Sequence, residues 1–141
     1  KVSLVCRLLE RPYWVEGTIV SGRGIGAKQT VPTLNLETHA EVLPAVGVYV
    51  TRTTDVDDKR LWNSITNVGY RPTFDGEGLT IETFLLSPFH GETPKRIRLE
   101  FLRRVREERK FDSPEALKEQ ILRDVSRANS YFRRRSRLKS A

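Results

Sequence analysis

The first two-thirds of the chain read as β, in short apolar-rich runs broken by turns. "WVEGTIV", Trp14 to Val20, predicts a strand. "VGVYVTRT", Val46 to Thr53, alternates again and is rich in β-branched residues. "DVDDK", Asp55 to Lys59, reads as a turn, and "RLWNSITNVGY" returns as a strand. "RPTFDGEG" reads as a loop before the strand "LTIETFLL", Leu79 to Leu86. "SPFHGETPK" turns the chain once more, and "RIRLEFLRRV" places Ile97, Leu99 and Phe101 on one face. Short strands separated by such turns predict an antiparallel barrel or sandwich.

The period changes near the end. Ser113 can cap a helix, and Pro114 suits its first position. Leu117, Ile121, Val125, Ala128 and Phe132 then form one apolar stripe on a helix of about five turns. That helix is expected to pack on the β part. Val2, Val5, Leu8 and Leu9 are also helically spaced, so residues 1–9 read as the tail of a preceding domain or a linker. Residues 10–132 show no internal repeat or linker, and residues 133–141 form a basic tail.

Composition narrows the class. The chain has 141 residues, one common domain's worth, and a net charge of +7. Part of that charge sits in "RRRSRLKS", Arg133 to Ser140, which reads as a solvated, frayed end. No apolar run approaches the ~20 residues of a membrane span, and nothing reads as a signal peptide. Cys6 is the only cysteine, so a disulfide framework is excluded and a cytoplasmic protein is the simplest reading. The chain has no methionine, even at its start, and reads as a piece of something longer.

"GRGIGAKQTVPTLNL", Gly22 to Leu36, is the stretch with chemistry in it. It fits neither G-x-x-x-x-G-K-[ST] nor G-x-G-x-x-G, and Pro32 disfavours the helix both motifs need. Phosphates would have to be held by loop amides and side chains. The glycines free the backbone for close approach. Lys28 can meet a phosphate as a point charge. On an extended segment Thr33 and Asn35 share a face, and two neutral oxygens there suit Mg²⁺ that keeps ligands from water and substrate. The same pattern also fits a flexible hairpin loop before an ordinary strand.

"GRGIGAKQTVPTLNL", "LPAVGVYV", "NVGYRPTF", "IETFLL" and "REERKFDSPEALKEQILRD" occur in that order, and together they resemble the riboflavin kinase family over nearly the whole chain. "LLERPYWVEGTIVSG" resembles the junction after the FMN adenylyltransferase domain of the bacterial bifunctional enzyme. The resemblance implies a closed six-stranded antiparallel Greek-key barrel with a C-terminal helix. It implies transfer of the ATP γ-phosphate to the riboflavin 5′-hydroxyl, giving FMN and ADP. It also implies Mg²⁺ as cofactor and a preceding adenylyltransferase domain in the full-length protein. By the same resemblance Gly22, Gly26, Lys28, Thr33, Leu85, Ser87 and His90 meet the nucleotide. Thr33 and Asn35 bind the metal, Glu82 is the catalytic carboxylate, and Arg106, Arg109 and Phe111 border the flavin. Thr30 and His90 depart from residues common in the family, which often has a glycine and a tyrosine there.

Read without the family, Glu82 is a solvent-facing residue of an edge strand. Asp75 and Glu77 lie in a glycine-bearing loop, and Glu107 and Glu108 sit among arginines that would neutralise them. His39 and His90 lack metal-ligand spacing. Trp14 and Trp62 read as core or barrel-end packing. The competing class is a nucleic-acid-binding barrel, suggested by the +7 charge. Such a module wants aromatics interleaved with basic residues, and here the aromatics are scattered. Neither nucleic acid nor a membrane is expected as a partner.

Overall fold

The computed structural model describes residues 13–24, 32–38, 43–73, 76–88 and 90–140. The helical reading of residues 1–9 lies outside them, as do Gly26, Lys28, Thr30 and His39. The chain forms two compact units, Lys1–Glu108 and Arg109–Ala141.

The first unit is all β. Its strands are β1 (Tyr13–Gly24), β2 (Pro32–Glu37), β3 (Gly47–Asp55), β4 (Leu61–Thr73), β5 (Gly76–Leu85) and β6 (Arg96–Arg106). They close into an antiparallel barrel in the order β1-β2-β5-β4-β3-β6. β6 returns beside β3, so β3 to β6 take the spatial order of a Greek key. Closure removes every sheet edge, so β5 and its Glu82 lie between β2 and β4 rather than at an edge.

Alternation decides what goes inside. Leu34 and Leu36, Ile81 and Leu85, and Ile97, Leu99 and Phe101 point into one core with Tyr49, Trp62 and Val68. Phe101 meets Tyr49 edge to face at 5.2 Å. The interior also holds hydroxyls. Thr53 and Ser64 are 2.7 Å apart, Ser64 and Thr51 2.7 Å, Thr51 and Thr66 2.9 Å, and Thr66 and Thr83 3.0 Å. This ladder crosses β3, β4 and β5, and all five side chains are buried.

Three expectations are revised. The segment expected to loop at 71–78 instead extends β4 and β5, with Arg71 opposite Gly78 and Thr73 opposite Gly76. Trp62 is a core residue, but Trp14 lies partly exposed beneath the Arg98 guanidinium, 4.2 Å from its ring centroid.

The third revision concerns the basic tail. The second unit's helix α1 spans Pro114–Ser140, 27 residues, and runs through Arg133–Ser140 rather than fraying there. That stretch contains no glycine or proline, and Arg, Lys and Leu are strong helix formers. Its start is as expected: the Ser113 hydroxyl accepts the Ala116 amide at 3.1 Å, and Pro114 opens the helix.

Candidate active site

Register builds the site. Asn35 on β2 stands opposite Glu82 on β5, and Glu82 stands opposite Asn67 on β4. The same row continues from Ser21 on one side to Val48 and Arg106 on the other. Leu34, Leu36, Ile81 and Val68 point inward, so Asn35, Glu82 and Asn67 between them point outward. Glu82 and Asn35 are half-buried, flanked by paired strands. Opposed residues of this kind hold their Cβ atoms ~5 Å apart. A carboxylate and two carboxamides therefore converge on the barrel wall.

Thr33 lies two residues from Asn35 on the same face, opposite Phe84. Its hydroxyl is buried and has no hydrogen-bond partner among the described residues. A buried hydroxyl with nothing to bond is costly, and an incoming ligand oxygen or metal would offset that cost. Asn67 Oδ1 is in the same state. No cluster of three or more His, Cys, Asp or Glu side chains suited to a metal exists among the described residues. Thr33 and Asn35 do fit Mg²⁺, which takes few protein ligands and keeps most of its shell from water and phosphate.

A cleft of about 480 Å³ opens on one side of Glu82. β2 and β5 pair only from Thr33–Phe84 to Leu36–Ile81, while β5 stays on β4 down to Gly76. The cleft lies where β5 leaves β2. Val20, Leu36, Leu43, Leu79 and Ile81 give it apolar walls, with Asn35, Thr80 and Glu82 among its polar lining. Its volume falls in the ~300–1,000 Å³ range of small-molecule pockets. Val20 reaches it because the β1–β2 register shifts between Ile19 and Ser21, a bulge that turns this side chain outward.

The other expected residues divide. Gly22 extends β1 and pairs with Leu34, close to Thr33. Ser87 and His90 are exposed on the β5–β6 connection, beyond the Thr33 end of the row. Leu85 lies on β5. Its side chain is fully buried in the core, because it follows the inward phase of Ile81 and Thr83, so only its backbone could face a nucleotide. Arg106 shares the row with Glu82 but is three strands away, ~14 Å along the sheet at the usual strand spacing. Its Nη1 donates to the Glu107 carbonyl at 2.9 Å. Arg109 and Phe111 belong to the second unit, where the guanidinium lies 5.3 Å from the ring centroid.

Two residues of this face escaped the sequence reading. Asn67 is one. The other is Glu108, whose carboxylate lies against Gly69, so that a Cβ at Gly69 would come within 2.7 Å of Oε2 and closer still to Oε1. Gly69 pairs with Thr80 of the cleft, which brings this second carboxylate one step from the lining.

A family model described as flavokinase, riboflavin kinase, matches residues 9–132. The bifunctional riboflavin kinase/FMN adenylyltransferase of Pseudomonas fluorescens is 35% identical over 91% of this chain and 41% of its own. The one from Haemophilus influenzae is 31% identical over 93% and 42%, and the one from Bacillus subtilis 33% over 93% and 42%. The chain thus spans less than half the length of these relatives. Among solved structures, a macrolide-efflux protein from Streptococcus pneumoniae is 28% identical with a TM-score of 0.77, over 91% of this chain and 42% of that one. The riboflavin kinase of Trypanosoma brucei shares the fold, with a TM-score of 0.55 at 19% identity over 86% of this chain and 80% of its own. With the family model covering the whole barrel and most of the helix, the chain belongs to the riboflavin kinase family.

Proposed function

We propose that this chain carries a riboflavin kinase activity, moving the γ-phosphate of ATP to the 5′-hydroxyl of riboflavin to give FMN and ADP. The observation that carries the reading is the register of Asn35 opposite Glu82, with the unpartnered Thr33 hydroxyl two positions along. Thr33 and Asn35 would hold Mg²⁺ together with phosphate oxygens, and the metal supplies charge neutralisation when bound. Glu82 orients the attacking hydroxyl and takes its proton as the bond to phosphorus forms. The nucleotide would approach from the Gly22, Thr33 and Ser87 side. The flat apolar flavin suits the cleft on the other side of Glu82, whose walls are aliphatic.

The relatives' bifunctional names and the chain's 42% share of them support an FMN adenylyltransferase domain ahead of this one. Purified chain incubated with riboflavin and Mg-ATP should yield FMN, resolved from riboflavin by chromatography. No FMN from folded protein, under conditions where a known relative is active, would refute the assignment. A nucleic-acid-binding barrel finds less support. Trp14 and Tyr70 are exposed on separate strands rather than forming one stacking platform.

A further inference from the structure

We propose that Arg60 is a positioning residue for the nucleotide: its guanidinium sets the shape of the β5–β6 connection against which the nucleotide binds. The proposal rests on the kinase reading for what binds there, and on geometry for how the connection is held.

Arg60 closes the β3–β4 turn and reaches across to a segment 30 residues on. Its Nη1 donates to the His90 carbonyl at 2.8 Å, and its Nη2 donates to the Glu92 carbonyl at 3.0 Å. The same Nη2 donates to Asp55 Oδ2 at 2.9 Å, and Nε lies 2.6 Å from Asp58 Oδ2. The guanidinium also lies 5.0 Å from the centroid of the Trp62 ring, which is itself in the core. Asp55 is buried and fixed in turn, accepting the amides of Asp57 at 2.8 Å and Asp58 at 3.3 Å. The fork is therefore set from behind before it meets the connection.

The connection is built to meet it. Its ends are tied by backbone bonds, Leu86 N to the Asn63 carbonyl at 2.9 Å and Ile19 N to the Lys95 carbonyl at 2.8 Å. Between those ends, the hydrogen bonds that reach the rest of the chain among the described residues come from Arg60. Gly91, at φ +90°, reverses the chain so that the carbonyls on both sides of it turn to one guanidinium. An L side chain at that φ is strained. The connection leaves β5 next to Phe84, and Phe84 stands opposite Thr33. A nucleotide whose phosphates sit at Thr33 therefore extends its remaining parts along Ser87 to Gly91. Lysine cannot replace Arg60, because one ammonium cannot hold two carbonyls and a carboxylate in a fixed plane.

The experiment compares Arg60→Met, Arg60→Lys and Gly91→Ala with the unchanged chain. FMN formation is measured with ATP varied at saturating riboflavin, and the converse. Mg-ADP binding is measured by calorimetry without riboflavin, and amide exchange is followed by mass spectrometry. Misplacing a contact surface by about 1 Å costs up to ~100-fold, so KM for ATP and Kd for ADP should rise ~10- to 100-fold. KM for riboflavin should stay within about twofold, and exchange should quicken in residues 86–95 but not in β3 or β4. A merely structural Arg60 would lower the melting temperature and leave the ratio of the two KM values unchanged; that result, or an equal rise in both, overturns the proposal. If the unchanged chain makes no FMN yet loses ADP binding on Arg60→Met, the kinase reading falls and the positioning role stands. Unchanged ADP binding in all three variants overturns the role itself.

Discussion

Glu82 stands directly between Asn35 and Asn67, each on a neighbouring strand, with its side chain on the outer wall of a closed barrel. That placement gives one carboxylate two carboxamide neighbours and a cleft beside it. Glu82→Gln keeps the shape and removes the proposed base. General-base catalysis is typically worth ~10²–10⁴-fold, so turnover should fall at least ~100-fold with both KM values little changed. Steady-state kinetics decide it: intact turnover with a raised KM would make Glu82 a binding residue.

Thr33→Ala and Asn35→Ala should each raise the Mg²⁺ concentration needed for half-maximal activity. The orphaned Thr33 hydroxyl makes a second expectation for that variant. Because the hydroxyl is buried with no hydrogen-bond partner among the described residues, its removal should leave stability unchanged or raise it slightly. A Thr33→Ala chain that melts lower and titrates Mg²⁺ normally would contradict both.

Gly69→Ala tests the seat of Glu108. The added methyl overlaps the end of a flexible side chain, so Glu108 moves aside at little cost to the barrel. The carboxylate beside Thr80 is then displaced. Riboflavin affinity, read by quenching of its fluorescence, should weaken while the melting temperature shifts by only a few degrees. Unchanged affinity would make the Gly69–Glu108 contact a matter of packing alone.

Asp55 gives the protein an acid-sensitive joint. Burial raises its pKa, but the Asp57 amide, the Arg60 guanidinium and the Asp58 amide together hold it below the ordinary value of 3.8. A lowered folded-state pKa contributes stability that is fully present above the unfolded value and is lost as pH falls through the folded one. Melting temperature followed from about pH 6 down to about pH 2 should therefore decline in its acid part less steeply for Asp55→Asn than for the unchanged chain. Parallel curves would remove Asp55 from the acid response.

Much of this was legible in the chain because alternation is a local signal. Ile97, Leu99 and Phe101 show their common face in sequence, and Thr33 and Asn35 show theirs. What stayed hidden depends on partners far away. Nothing local tells that Asn67 will stand beside Glu82, since that follows from β4–β5 register. Glu108 read as one more charge among arginines, and only the missing side chain of Gly69 gives it a place. Arg60 reads in sequence as the first residue of a strand, although its carbonyl partners lie 30 and 32 residues on. Leu85 is placed at the nucleotide by resemblance alone, and its phase along β5 puts its side chain in the core, which leaves its backbone for such a contact.

Register itself has an identifiable guard. The hydroxyl ladder Thr53, Ser64, Thr51, Thr66 and Thr83 lies just inside the wall whose outer side carries Asn67 and Glu82. Thr66 precedes Asn67, and Thr83 follows Glu82, so the ladder and the site share the same two strands. A slip of one residue in β5 would turn Glu82 inward and expose the Ile81 phase. It would also break the Thr66–Thr83 bond in a dry interior, where lost hydrogen bonds are expensive. Thr66→Val keeps the volume but takes one partner from Thr51 and one from Thr83, and should cost ~1–3 kcal/mol. At about 2–4 °C per kcal/mol for a chain near this size, calorimetry resolves that loss. Thr66→Val with Thr83→Val should cost less than the sum of the two single changes, because the second removes a hydroxyl already left short of a partner. Strict additivity would mean that the two hydroxyls act independently and that register rests on the apolar core alone.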